Sequence, residues 1–177
     1  MHYIGEGRQD MQKILITGEM GIGKSTLVRH LLTQVHSEVD GFFTVKHGSD
    51  VFLYNARDYL KGRAKPQCIG RCDCRGKMTA YASVFDAFGE MIGRFPAHSL
   101  IVMDELGFME RDAKAFCDAV LKVMADDHPV LAVVKAQSSP FLDAVRNQDE
   151  VMLCHLTAEN RDAHLRHLNC LIQNLAW

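Results

Sequence analysis

The chain has 177 residues, 47% of them hydrophobic and 24% charged, with 20 basic and 22 acidic side chains. This is enough for one domain with a buried core. A net charge of −2, without a long block of either sign, gives no electrostatic basis for nonspecific nucleic-acid binding or adhesion to an anionic membrane. No apolar run approaches the ~20 residues a bilayer span needs, and residues 1–12 lack the apolar stretch of a secretory signal. A cytoplasmic protein of one domain, 1–177, is expected, with 1–12 as a flexible leader.

In chain order, Lys13-Ile14-Leu15-Ile16-Thr17 is apolar and β-branched and predicts a strand. Gly18-Glu19-Met20-Gly21-Ile22-Gly23-Lys24-Ser25 follows and fits G-x-x-x-x-G-K-[ST], the Walker A phosphate loop. Leu27, Val28, Leu31, Leu32 and Val35 then mark one face of a helix. After a turn at 37–41, residues 41–46 and 51–54 predict two strands of a β-hairpin around His47-Gly48-Ser49-Asp50. Residues 56–79, rich in Gly, Lys, Arg and Cys, show no period and predict a mobile segment over the site.

A helix is predicted over 81–94 and a strand, apolar on both faces, over Ser99–Asp104. Ala113 to Met124 carries the next amphipathic helix, ending before His128-Pro129, and Val130–Val134 the next buried strand. Ser139-Pro140 predicts a helix start, with Ser as cap and Pro in the first turn. Val151–His155 is a further strand. Thr157 caps a last helix with a stripe of Leu165, Leu168, Ile172 and Leu175. Strands alternating with helices imply an α/β fold of three layers, the P-loop NTPase type. Its sheet is mainly parallel, covered by helices on both faces, with a β-hairpin after the first helix.

Nucleotide hydrolysis needs a held phosphate, a metal and a positioned water. In the loop, Gly18, Gly21 and Gly23 allow a tight turn and close backbone approach. The backbone of Gly18 through Thr26 cradles phosphate at a helix N-terminus. Lys24 is assigned to the β- and γ-phosphates, Ser25 to Mg²⁺ and Thr26 to the α-phosphate. Leu100-Ile101-Val102-Met103-Asp104-Glu105 fits a Walker B strand, with Asp104 as the Mg²⁺ ligand and Glu105 placed to orient or deprotonate water. A further cation is needed for developing charge. Lys135 and Arg161, just beyond strand ends, are preferred over Arg146, Arg71 and Arg75.

Several blocks resemble a known family. Asp104-Glu105-Leu106-Gly107-Phe108-Met109-Glu110 is similar to the DEIGxME signature of a small P-loop nucleoside-triphosphatase family. Its members include thermophilic archaeal and bacterial enzymes and the cancer-related nucleoside-triphosphatase of animals. Gly41-Phe42-Phe43-Thr44 resembles its GFYT strand, and Pro129–Val134 its PVLAT strand. Pro140-Phe141-Leu142-Asp143 resembles its PFVDEI helix, and Leu156-Thr157-Ala158-Glu159-Asn160-Arg161-Asp162 its LTPENRD stretch. The resemblance runs from about 13 to 163. It implies a RecA-like or kinase-like core and slow, Mg²⁺-dependent hydrolysis of several nucleoside triphosphates, ATP and GTP among them. Gly23, Lys24, Ser25, Asp104 and Glu105 match the family's functional positions, and Asn160 and Arg161 match a block that implies nucleotide contact. The chain departs from the pattern at Lys135–Ser139, where the family has a basic, His-containing stretch, and at 56–79.

Within that divergent segment, Cys68, Cys72 and Cys74 have C-x₃-C-x-C spacing, which could hold Zn²⁺ or an iron–sulfur cluster. The usual pair of C-x₂-C motifs is absent, and a basic loop with free or redox-active thiols is the simpler reading. Cys117 and Cys154 lie in apolar segments and are expected in the core. His164, His167 and Cys170 recur every third residue and so drift around a helix, a poor ligand face. Two alternatives to a hydrolase share the same loop: a nucleotide or small-molecule kinase with 56–79 as its lid, and a nucleotide-gated regulatory module. The sequence specifies no protein partner.

Overall fold

The computed structural model describes residues 13–96 and 98–174. The leader 1–12 and Leu175 lie outside the described residues. The elements run β1 Lys13–Gly18, α1 Lys24–Leu32, β2 Val39–His47, β3 Asp50–Asn55, α2 Ala56–Leu60, β4 Gln67–Cys72 and β5 Met78–Ala80. They continue with α3 Ala82–Ile92, β6 Leu100–Leu106, α4 Lys114–Ala125, β7 Val130–Val134, α5 Pro140–Arg146, β8 Val151–Leu156 and α6 Arg161–Asn174. One eight-stranded sheet has the order β5-β4-β3-β2-β6-β7-β1-β8. From β2 to β8 every pairing is parallel, while β3, β4 and β5 extend the β2 edge antiparallel.

The central strands are apolar on both faces because both faces are covered. On one side Leu15, Ile101, Met103 and Ala132 pack with Phe85 and Phe88 of α3, Phe116 and Val120 of α4 and Leu142 of α5. On the other, Ile14, Ile16, Val102 and Val133 pack with Leu27, Val28 and Leu31 of α1 and Leu168 and Ile172 of α6. Alternation along each strand thus divides the interior into two cores, giving the three layers expected.

Local signals act as read. Ser139 Oγ accepts the Leu142 N–H at 3.2 Å, with Pro140 opening α5. Thr157 and Asn160 bond reciprocally: Asn160 Oδ1 accepts the Thr157 N–H at 2.8 Å, and Thr157 Oγ1 accepts the Asn160 N–H at 3.3 Å. The two-residue turn Gly48-Ser49 closes the β2–β3 hairpin, with φ 61° at Gly48.

The stretch 56–79, expected to be irregular, carries α2, β4 and β5. Its strands lie at the sheet edge, where Gln67, Arg71, Met78, Thr79 and Ala80 are exposed and Ile69 and Gly70 are buried. An edge hairpin with so few buried side chains leaves little hydrophobic alternation to read.

Candidate active site

β1 is buried throughout and delivers Gly18 to the carboxyl end of the sheet. There the carbonyl of Leu156 on β8 would lie 2.4 Å from a Cβ at Gly18, whose φ is 143°. Only a residue without a side chain fits between these strands. Gly21 and Gly23 also have positive φ, 83° and 98°, turning the loop back into α1. Lys24 is buried, and its Nζ donates to the carbonyls of Gly18 at 2.9 Å and Glu19 at 2.8 Å. The ammonium therefore spans the loop where a phosphate could take over those bonds. Met20 at the loop's tip and Thr26 on α1 face solvent.

β6 sits between β2 and β7, and its register places Asp104 opposite Phe43 and Val133. Ser25 Oγ donates to Asp104 Oδ1 at 2.9 Å, so the helix after the loop and the end of β6 converge as expected. Asp104 is 1% exposed, and burial pushes its carboxyl up to about 6, with the Ser25 hydroxyl acting against this and the Glu105 charge adding to it. Its Oδ2 is buried without a hydrogen-bond partner among the described residues. An unpaired buried carboxylate oxygen beside a hydroxyl is a donor set suited to a hard divalent cation.

Glu105 follows, its side chain 27% exposed, with Oε1 3.0 Å from Lys135 Nζ. Its main-chain N–H donates to Thr44 Oγ1 of β2 at 3.0 Å. Lys135 is the first residue after β7, and its own N–H donates to Leu106 O at 2.9 Å. Glu110 is 2% exposed and accepts the Gly107 N–H through Oε1. The sequence reading gave no chemistry to Thr44, Gly107 or Glu110. Their only signal lay in the GFFT and DELGFME blocks.

Of the other cations, Arg161 opens α6 with its Cδ 3.9 Å from where a Cβ of Gly23 would stand, over the loop. Its Nε lies 3.5 Å from Asp162 Oδ1 on an exposed surface. Arg146 is engaged elsewhere: it bonds Asp143 Oδ1 at 2.9 Å and the carbonyls of Lys135 and Gln137, tying down the loop after β7. Arg71 pairs with Asp50 at 2.6 Å and Arg63 with Asp58 at 2.8 Å, while Arg75 lies in the β4–β5 connection. Asn160 uses its amide within the turn, accepting from Thr157 and donating Nδ2 to His155 O at 2.9 Å. It therefore shapes the approach to α6 and positions Arg161.

The cysteine cluster does not assemble a metal site. Four residue steps along β4 set Cys68 and Cys72 up to ~13 Å apart, too far for two thiolates that each stand ~2.3 Å from one zinc. Cys74 lies beyond the strand end, and no group of three or more His, Cys, Asp or Glu among the described residues could hold a metal. The same holds for His164, His167 and Cys170. Cys154 is buried in the core as expected, whereas Cys117 is half-buried and donates from Sγ to Glu110 O at 3.3 Å.

A mainly parallel sheet with a glycine-rich loop after β1, and a carboxylate pair across β7 from it, defines a P-loop α/β protein. Residues 13–169 match the model of a family described as NTPase, and the chain belongs to that family of enzymes. It is 27% identical over 172 residues to the nucleoside-triphosphatase THEP1 of Thermotoga maritima, covering 88% of this chain and 92% of the relative. Identity to THEP1 of Thermofilum pendens is 32% over 164 residues, covering 85% and 90%. The cancer-related nucleoside-triphosphatase homolog of Mus musculus is 24% identical over 187 residues, covering 91% and 96%. The crystal structure of THEP1 from Aquifex aeolicus aligns with a TM-score of 0.74 at 24% identity over 92% of this chain and 100% of that one, and so shares the fold.

Proposed function

We propose that this chain hydrolyses nucleoside 5′-triphosphates, ATP and GTP among them, slowly to diphosphate and phosphate in the cytoplasm. The family and the names of the relatives support nucleoside-triphosphatase activity. The observation that carries the mechanism is the carboxylate pair at the end of β6: Asp104 faces Ser25, and Glu105 is held by Lys135 beside it.

Lys24 exchanges its loop carbonyls for the β- and γ-phosphates, and backbone N–H groups of Gly18 to Thr26 take the remaining oxygens. Ser25 and Asp104 would hold Mg²⁺, the unpaired Asp104 Oδ2 supporting that fit. When bound, the ion neutralises charge on the phosphate oxygens. Glu105 accepts a hydrogen bond from the attacking water and draws off its proton as the bond to the γ-phosphorus forms; the bond from that phosphorus to the β–γ bridging oxygen breaks, and the nucleoside diphosphate leaves. Arg161, over the loop, is placed to meet charge on the phosphate chain.

A kinase needs a lid and an acceptor site. The stretch 56–79, read as that lid, forms α2 and the β4–β5 hairpin; the family and the Glu immediately after Asp104 favour hydrolysis over transfer. No helix among the described residues is long and apolar enough to cross a membrane.

Glu105→Gln tests the assignment. It keeps the side-chain size and an oxygen for Lys135 but removes the base. Turnover at saturating nucleotide is expected to fall ~10²–10⁴-fold, with nucleotide affinity by fluorescence titration within about threefold of wild type. Undiminished turnover would remove Glu105 from the mechanism.

A further inference from the structure

We propose that Gly107 and Glu110 are positioning residues, forming a track that carries Lys135 to Glu105 and so fixes the direction of that carboxylate. The proposal rests on the hydrolase reading above for its catalytic consequence. Its geometric basis is independent of that reading.

Lys135 begins from a fixed point, since its main chain is bonded to Leu106 O at 2.9 Å. To reach Glu105 its side chain crosses Gly107. A Cβ there would lie 2.8 Å from Lys135 Cε, 3.0 Å from Cδ and 3.5 Å from Cγ. Three successive methylenes thus lie along the bare backbone of one glycine. Gly107 is not among the positive-φ glycines, so space, and not backbone conformation, calls for glycine here.

The glycine is held in turn. Its N–H donates to the buried Glu110 carboxylate, and Glu110 is bound to the start of α4 by Ala113 N–H to Glu110 O at 2.8 Å and Cys117 Sγ to Glu110 O at 3.3 Å. A lysine with 39% of its side chain exposed would otherwise sample many rotamers. The track selects the one that engages Glu105 Oε1 and leaves the second carboxylate oxygen to receive water. The Thr44 hydroxyl holds the Glu105 main chain from the other side, so both ends of this residue are fixed. Preorganisation of this kind acts on the chemical step more than on substrate binding.

Gly107→Ala is the sharpest test, because the three atoms nearest the added methyl all belong to the flexible Lys135 side chain. The expected result is kcat lowered ~10–10²-fold with KM within about twofold. In a Lys135→Ala background the same substitution should change kcat less than about twofold, since nothing is left to displace. Equal losses in both backgrounds would overturn the track. Glu110→Gln retains an oxygen for the Gly107 N–H and should keep ~10-fold more turnover than Glu110→Ala; equal activity of those two variants would remove Glu110 from the proposal.

A second readout does not depend on turnover. Acetylation of Lys135 by an N-hydroxysuccinimide ester, followed by peptide mass spectrometry, should be at least ~3-fold faster in Gly107→Ala than in wild type as the amine leaves its partner. Unchanged labelling would overturn the geometry whatever the activity. A wild type that releases no phosphate would remove the hydrolase reading and the catalytic half of this proposal, while the labelling would still decide the geometric half.

Discussion

At Glu110 a carboxylate is enclosed almost completely, and burial raises its pKa from the ordinary 4.5 to about 7, against the pull of the Gly107 N–H. In the unfolded chain the group loses its proton near the ordinary value. Between those two pH values the folded chain keeps a proton that the unfolded chain has released. The contribution of this residue to stability is therefore full below the unfolded value and is lost as pH rises through about 7. A displacement of this size corresponds to at most ~3 kcal/mol across the window. Glu110→Gln should flatten that slope: urea unfolding at pH 5 and pH 8 is expected to show the variant gaining on wild type as pH rises. A difference that is constant with pH, or of opposite sign, would contradict the burial of a titrating Glu110. Asp104 stood out in the sequence as the end of the Walker B strand, whereas Glu110 could not be told from a solvated acid, because its burial belongs to the packing around it.

Among the elements, α3 and α4 cover one face of the sheet through an aromatic cluster. Phe116 of α4 is fully buried, its ring centroid 5.5 Å from that of Phe42 on β2 and 5.1 Å from that of Phe85 on α3. Phe116→Ala empties the junction of two helices and the strand whose Thr44 holds Glu105, and should cost ~3–5 kcal/mol in urea unfolding. A loss under ~1 kcal/mol would mean the cluster does not hold this layer.

The elements that could be read directly were those with a strong local signal: the P-loop between strand and helix, the Ser139-Pro140 start, the Thr157 cap and the apolar runs of β6 and β7. What escaped was β4 and β5. β4 is held by its pairing with β3 and β5 by its pairing with β4, and only Ile69 among their larger side chains enters the core. Cys68 and Cys72 of β4, with Cys74 just beyond it, looked like ligands in sequence spacing, but the extended strand spreads them apart. Lys135 was legible as a cation near the site, yet its route over Gly107 depends on β6–β7 pairing that spacing along the chain does not reveal.

For the whole molecule, the parallel register of β1, β6, β7 and β8 brings the P-loop, the carboxylate pair, Lys135 and the start of α6 to one end of the sheet. The same topology carries the β2–β3 and β4–β5 connections to this rim, since β2 runs parallel to β6 while β3, β4 and β5 alternate in direction. A phosphate site at this end follows from the architecture, and the family supports nucleoside-triphosphatase activity; in the proposed mechanism, hydrolysis as opposed to transfer depends on the carboxylate that follows Asp104. The most direct measurement is phosphate release from a panel of Mg²⁺–nucleoside triphosphates with no acceptor added, running wild type beside Lys24→Ala. Release from several nucleotides by wild type, reduced ~10²-fold or more in the variant, is the expected result. Nucleotide bound without release, or equal release from both proteins, would contradict a hydrolase built on this loop.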